Sequence, residues 1–227
     1  PALPEPFEQR WPFARRLAHV PEPMHAILVR YLQHKSVTCR PATVSSLATR
    51  LAAFGAYLAG TDPDATPATL DRCQHIEPWL ASLTTAANTK SGGTLSVPEQ
   101  ARRILAVANF LTEITEWGWP EAPTRRLMFP PDNPRLPQPL PRLPPPDADR
   151  RLTEALEASP HRLAADALLL QRACGLRIGE LLDLELDAVI DLPGSGSWLK
   201  VPLGKLDTER MVPIDAQILA LIDRITA

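Results

Sequence analysis

Three stretches in the first half of the chain repeat apolar residues at helical spacing. Met24, Ile27, Leu28 and Tyr31 form one stripe, and Val44, Leu47, Ala48, Leu51, Phe54 and Leu58 form a second, cleaner one. Ile104, Val107, Ala108, Leu111 and Ile114 form the third. Each follows the i, i+3, i+4, i+7 rule that places side chains on one face of a helix. A weaker pattern predicts a fourth helix over 70–83. The breakers Arg40-Pro41, the run 60–67 and Ser91-Gly92-Gly93 separate them. Four amphipathic helices with short connections predict a small all-α bundle.

The second half reads differently. Helices are predicted over 149–158 and 163–174, the latter apolar on nearly all sides and so expected to be deeply buried. Gly175 is placed to cap it, and a short helix over 177–184 follows. Strand-like pieces at 188–191, 198–203 and 210–214 are separated by turn signals at Pro193-Gly194-Ser195-Gly196 and Gly204. A last helix starts near 215 and is still running at 227. Between the halves, 11 of the 27 residues 120–146 are proline, which neither propagates a helix nor joins a central strand. The reading is a mainly α chain: a helical domain over 1–119, a proline-rich linker over 120–147, and an α+β domain with a small antiparallel sheet over 148–227 that looks incomplete.

Composition narrows the function classes. The chain has 227 residues, 44% apolar and 22% charged, which suits a soluble globular protein. Cysteines at 39, 73 and 174 are too few and too scattered for a disulfide framework or a cysteine zinc site, so no metal is expected. No apolar run reaches about 18 residues and no signal peptide opens the chain, so no membrane span is expected and the location expected is cytoplasmic. The first residue is Pro1, which suggests a processed or trimmed chain. The formal charge of −2 hides an asymmetry: 1–119 carries +1, 120–151 carries +2 and 152–227 carries −5. Nucleic-acid binding would have to come from local patches, not from a general field.

Two stretches carry candidate chemistry. In Gly175-Leu176-Arg177-Ile178-Gly179-Glu180-Leu181, an arginine follows a helix-ending glycine at the start of a new helix, where backbone N–H groups are also expected to face outward. A guanidinium there can fork onto phosphate oxygens, and Glu180, three residues on, shares its face and can hold it. Spacing alone favours the plainer reading, a surface ion pair at a helix start. The stretch Gly204-Lys205-Leu206-Asp207-Thr208-Glu209-Arg210-Met211-Val212-Pro213 reads as a hairpin whose turn is expected to present Lys205. Such a lysine is either a proton donor kept near water or an ordinary solvated turn residue.

In this order the two stretches resemble the tyrosine recombinase (phage-integrase) family, whose catalytic domain carries a GLR-x-x-E-L box followed by a hairpin of the form GK…ER-x-VP. The resemblance is strong over 173–214 and weak elsewhere. It implies a four-helix, SAM-like core-binding domain before the linker, with 43–58 and 102–117 as its second and fourth helices. It also implies site-specific DNA cleavage and rejoining, in which a tyrosine hydroxyl attacks the scissile phosphate to give a 3′-phosphotyrosine and a free 5′-hydroxyl, with no cofactor. Arg177 would stabilise charge on the nonbridging oxygens, Lys205 would protonate the leaving 5′ oxygen, and Glu180 would support the arginine.

The family also uses a later H-x-x-R box and a tyrosine near the C-terminus. Here the histidines are 19, 25, 34, 75 and 161, and the tyrosines are Tyr31 and Tyr57, both on apolar stripes. The chain is therefore expected to be the N-terminal part of a longer recombinase and not to cleave DNA alone. The resemblance further implies double-stranded DNA as partner, self-association on DNA in the full-length protein, and DNA contacts from Arg40, Thr43, Ser46 and Arg50, and from Lys90, Arg102 and Arg103. Two other readings remain open: a non-catalytic DNA-binding relative acting as a regulator, and a helical scaffold whose proline-rich segment binds partner proteins.

Overall fold

The computed structural model describes residues 13–88, 92–136, 138, 140, 143–202 and 208–226. The chain divides into two compact units, 1–139 and 140–227, and is mainly helical with one small sheet.

Unit 1 is a helical bundle. A short turn of helix, α1 (Phe13–Arg16), precedes α2 (Met24–Thr38), α3 (Pro41–Thr61), α4 (Glu77–Thr85) and α5 (Val97–Glu116). Proline opens three of these helices, at Pro41, Pro78 and Pro98, positions where its missing N–H costs no intrahelical bond. The predicted stripes are the buried ones: Leu28, Tyr31, Leu51, Phe54, Val107 and Ile114 lie in one core. Phe54 meets Trp79 edge-on with ring centroids 4.9 Å apart, which brings α4 onto α3.

The weak helix expected over 70–83 starts later and is irregular. Asp71 accepts from the Cys73 and Gln74 N–H groups at 2.8 and 3.1 Å, capping a π-type turn, Arg72–Ile76, that runs into α4. The proline-rich stretch is not uniform either. Leu127 and Met128 enter the bundle core. Arg72 holds them there, donating to the Leu127 carbonyl at 2.8 Å and to both oxygens of Asp132 at 2.9 and 2.8 Å. Prolines at its far end open the next helix, α6 (Pro146–Glu157).

In unit 2, α6 is followed by α7 (Arg162–Cys174), α8 (Ile178–Leu182), the strands β1 (Val189–Leu192), β2 (Gly196–Val201) and β3 (Arg210–Ile214), and α9 (Ala216–Thr226). The sheet is antiparallel in the order β1-β2-β3, with Val189 opposite Leu199 and Val201 opposite Arg210. Alternation along β2 sends Leu199 and Val201 into a core with Leu170, Cys174, Ile214 and Leu221. Asp166, with its side chain 3% exposed, accepts from Arg162 on its own helix at 2.6 Å and from Arg224 at 3.2 Å, tying α7 to α9.

The expectation that α7 is buried all round fails. Its Ala165, Leu170 and Cys174 are buried, but Leu163 and Leu168 are exposed. Leu163, Leu170, Leu182, Ile222 and Ile225 line an open groove of about 310 Å³. On α7 the groove is lined by Leu163, Ala167 and Leu170, while Leu168 is exposed outside it.

Two glycines of α3 give a test of the packing. A Cβ on Gly55 would lie 2.5 Å from Val20 Cγ2 and 2.7 Å from Cγ1, whereas one on Gly60 would meet nothing within 4 Å. Gly60→Ala is expected to stabilise unit 1 by about 0.5–1 kcal/mol through helix propensity. Gly55→Ala is expected to destabilise it by about 1–3 kcal/mol, because valine cannot swing aside cheaply. Urea denaturation of the two variants checks both signs.

Candidate phosphate site and arginine cluster

The two sequence boxes of the second half meet at one carboxylate. Helix α7 ends in Gly175, whose φ of +61° is the left-handed value that glycine adopts without strain. The Leu176 N–H returns to the Gln171 carbonyl at 2.9 Å, closing the turn. That turn delivers Arg177 to the N-cap of α8. Glu180 then folds back: its Oε2 accepts the Arg177 backbone N–H at 2.9 Å and its Oε1 accepts Arg177 Nη1 at 2.6 Å. From β3, Arg210 Nη2 donates to the same Oε2 at 3.0 Å and to the Gly175 carbonyl at 3.2 Å.

The burial is uneven, and this shapes the chemistry. The Glu180 side chain is only 2% exposed, while Arg177 is 57% and Arg210 is 38% exposed. The Arg210 hydrogen bond, the Arg177 N–H and the Arg177 guanidinium together bring the Glu180 carboxyl down from its ordinary 4.5 to about 2, against the opposing effect of burial. Two cations against one anion leave a net positive group, with the Arg177 guanidinium toward solvent. The arrangement can hold an anion such as a phosphate diester. Of the backbone N–H groups expected to face outward at this helix start, that of Arg177 is taken up by Glu180, and α8 has only five residues.

Lys205, with Gly204, lies outside the described residues. Lys200, the nearest other lysine, pairs with Glu209 at 3.5 Å across the hairpin. Tyr31 is buried in the bundle and donates its hydroxyl to Glu113 at 2.7 Å; burial first, and then Glu113, push its ionisation well above the usual phenol range. It is a packed core residue. Trp117 rings against Tyr31 and His34, and the Arg30 guanidinium lies 3.7 Å from the Trp119 ring centroid.

In unit 1 the expected DNA-contact residues fall into two groups. Arg40, at the cap of α3, and Thr43 and Ser46 are exposed at successive three-residue steps along its first turns. Arg50 of α3 and Arg102 and Arg103 of α5 converge on Glu99, with N–O separations of 3.4, 3.5 and 3.9 Å. The Nε atoms of Arg50 and Arg103 are buried and make no hydrogen bond among the described residues. Lys90 lies outside the described residues.

Sequence reasoning missed Arg210 and Glu99. Glu99 was readable, since it stands three and four residues before Arg102 and Arg103 on one helix face. Arg210 was not, because its contact with Glu180 spans 30 residues.

Among the described residues no cluster of His, Cys, Asp or Glu is arranged to hold a metal ion, and no helix is long and apolar enough to cross a membrane. No protein-family model matches the chain. It is 27% identical over 120 residues to transposase B from transposon PsiTn554 of Staphylococcus aureus, covering 53% of this chain. It is 26% identical over the same length to transposase B from transposon Tn554 of Staphylococcus aureus strain Mu50. The chain spans 19% of the length of these curated relatives. A crystal structure of XerA recombinase aligns over 89% of this chain and 64% of its own, at 20% identity and a TM-score of 0.34.

The depressed Glu180 carboxyl sets a pH dependence. A folded value below the unfolded one means stability that is present above about 4.5 and lost as pH falls toward about 2. Asp166, lowered first by Arg224, and Asp149, lowered by Arg172, lose stability in the same direction, so the diagnostic is a difference between proteins. Glu180→Gln is expected to be less stable than wild type at neutral pH, with the gap narrowing as pH drops through this window. Urea midpoints measured at several pH values check it.

Proposed function

We propose that the chain is part of a tyrosine-type site-specific DNA recombinase: unit 1 holds duplex DNA, and unit 2 supplies the first half of a phosphoryl-transfer site. The observation that carries this reading is the buried Glu180 fixing Arg177, with the exposed guanidinium held at the junction of the two sequence boxes. The transposases named above are proteins of mobile DNA elements, which supports DNA recombination as the setting.

In the proposed reaction a tyrosine oxygen bonds to the scissile phosphorus, the bond to the 5′ oxygen breaks, and that oxygen takes up a proton. Arg177 offsets the charge that grows on the nonbridging oxygens, an interaction strongest in the transition state. Lys205 gives the proton to the leaving 5′ oxygen. Glu180 touches no substrate and keeps Arg177 in place. No histidine follows His161 and no tyrosine follows Tyr57, so the later H-x-x-R box and the nucleophilic tyrosine that this reading requires are not among these 227 residues. The chain alone is expected to bind DNA without cutting it.

Duplex binding by the chain is expected to weaken steeply with salt as phosphate contacts release counterions. Arg102→Glu with Arg103→Glu is expected to weaken it further, by about tenfold or more, and to flatten the salt slope. Fluorescence anisotropy at a series of salt concentrations measures both. Binding that ignores salt, or no binding, removes the DNA reading and favours the scaffold.

The chemical roles separate in the full-length recombinase. Arg177→Ala is expected to abolish cleavage while leaving DNA affinity within about threefold. Lys205→Ala is expected to be slow on ordinary DNA and near wild type on a strand with sulfur at the 5′ bridging position, whose leaving group needs little protonation. Arg177→Ala gains nothing from the sulfur. Both variants staying equally inactive on that strand removes Lys205 as the acid.

A further inference from the structure

Arg210 makes two contacts that bracket Arg177 in the sequence. One Nη2 atom donates to the carbonyl of Gly175, two residues before Arg177, and to Oε2 of Glu180, three residues after it. The turn that delivers Arg177 and the carboxylate that holds it are thus secured by one side chain from a different element. The contact is long-range and comes from the first residue of β3, paired with Val201 at the end of β2.

Arg177 alone is a poor partner for a buried carboxylate. Its guanidinium is more than half exposed, so water screens its pull on a Glu180 side chain that is almost fully enclosed. A buried carboxylate left with one screened cation is costly, and the usual escape is to swing toward water or take up a proton. Either escape releases Arg177, because both Glu180 oxygens are engaged with that residue. The second cation removes the incentive.

We propose that Arg210 is a positioning residue for the phosphate site: it locks the Glu180 carboxylate and the Gly175 turn in the geometry that fixes the Arg177 guanidinium, and so registers that turn against the β2–β3 hairpin. This rests on reading Arg177 as the phosphate-binding group. Arg210 acts through Glu180 and touches no substrate. A merely structural Arg210 would pin the hairpin with no effect on how Arg177 is held.

The test is side-chain NMR of the chain with Arg210→Met, which keeps the aliphatic stem and removes the donors. The readouts are water exchange at the Arg177 Nη–H groups, through one of which the guanidinium donates to Glu180, and their response to sodium sulfate as the anion probe. In a variant with a native-like amide spectrum, exchange is expected to quicken by about tenfold and the apparent sulfate affinity to fall by about tenfold, the effect of losing a charge-assisted hydrogen bond. The Glu180 carboxyl is expected to titrate higher than in wild type. Unchanged Arg177 exchange and sulfate response in the folded variant overturn the proposal. If Arg210→Met does not fold, Arg210→Lys takes its place; its ammonium keeps the charge but ends one bond short of the Nη2 position that makes both contacts, and a partial loss of about threefold is expected. Wild-type values in Arg210→Lys overturn the proposal. A wild-type chain whose Arg177 ignores sulfate removes the phosphate reading itself, while the exchange rates still decide the role of Arg210.

Discussion

The geometry of the second unit's site depends on keeping one carboxylate charged inside the protein. Glu180 is enclosed, yet its ionised form is favoured because three donors converge on it: the Arg210 guanidinium, the Arg177 backbone N–H and the Arg177 guanidinium. Burial alone would push it the other way. Gly175 supplies the left-handed turn that brings Arg177 within reach, α8 is just long enough to fold Glu180 back, and β3 supplies the second cation. The excess positive charge that results lies on the exposed side of the cluster.

Unit 1 uses the same device on a more open surface. Glu99 gathers Arg50, Arg102 and Arg103 from two helices, so three cations that would repel one another share one anion. Elsewhere Glu113 takes both Tyr31 and Lys35, and Asp132 takes Arg72. Because acidic and basic residues are so nearly balanced, the molecule has no general positive field to attract DNA. Any phosphate contact must come from clusters like that at Glu99, where arginines outnumber the carboxylate that holds them.

The proline-rich stretch illustrates how composition and context divide the work. Its residues exclude regular helix and central strand, and from that it reads as a linker. Two apolar residues inside it, Leu127 and Met128, decide otherwise for its first part, because the bundle has a place to bury them and Arg72 has a carbonyl and a carboxylate there to bond. Its last prolines serve a third purpose and open α6.

What the sequence by itself determined is local. The apolar stripes named the bundle helices and their buried faces, Gly175 announced its own cap, and alternation placed β3 to the residue, because these features depend on near neighbours and a fixed period. The spacing of Arg177 and Glu180 also showed that they share a face. Only the tertiary structure decided that Glu180 is buried, that Arg210 completes it, that Arg50 joins Arg102 and Arg103 around Glu99, and that Leu163 and Leu168 of α7 stay exposed. Each of those facts is a contact, or a missing one, between elements far apart in the chain. Residue spacing carries no information about desolvation, and desolvation is what turns an ordinary surface ion pair into a fixed site.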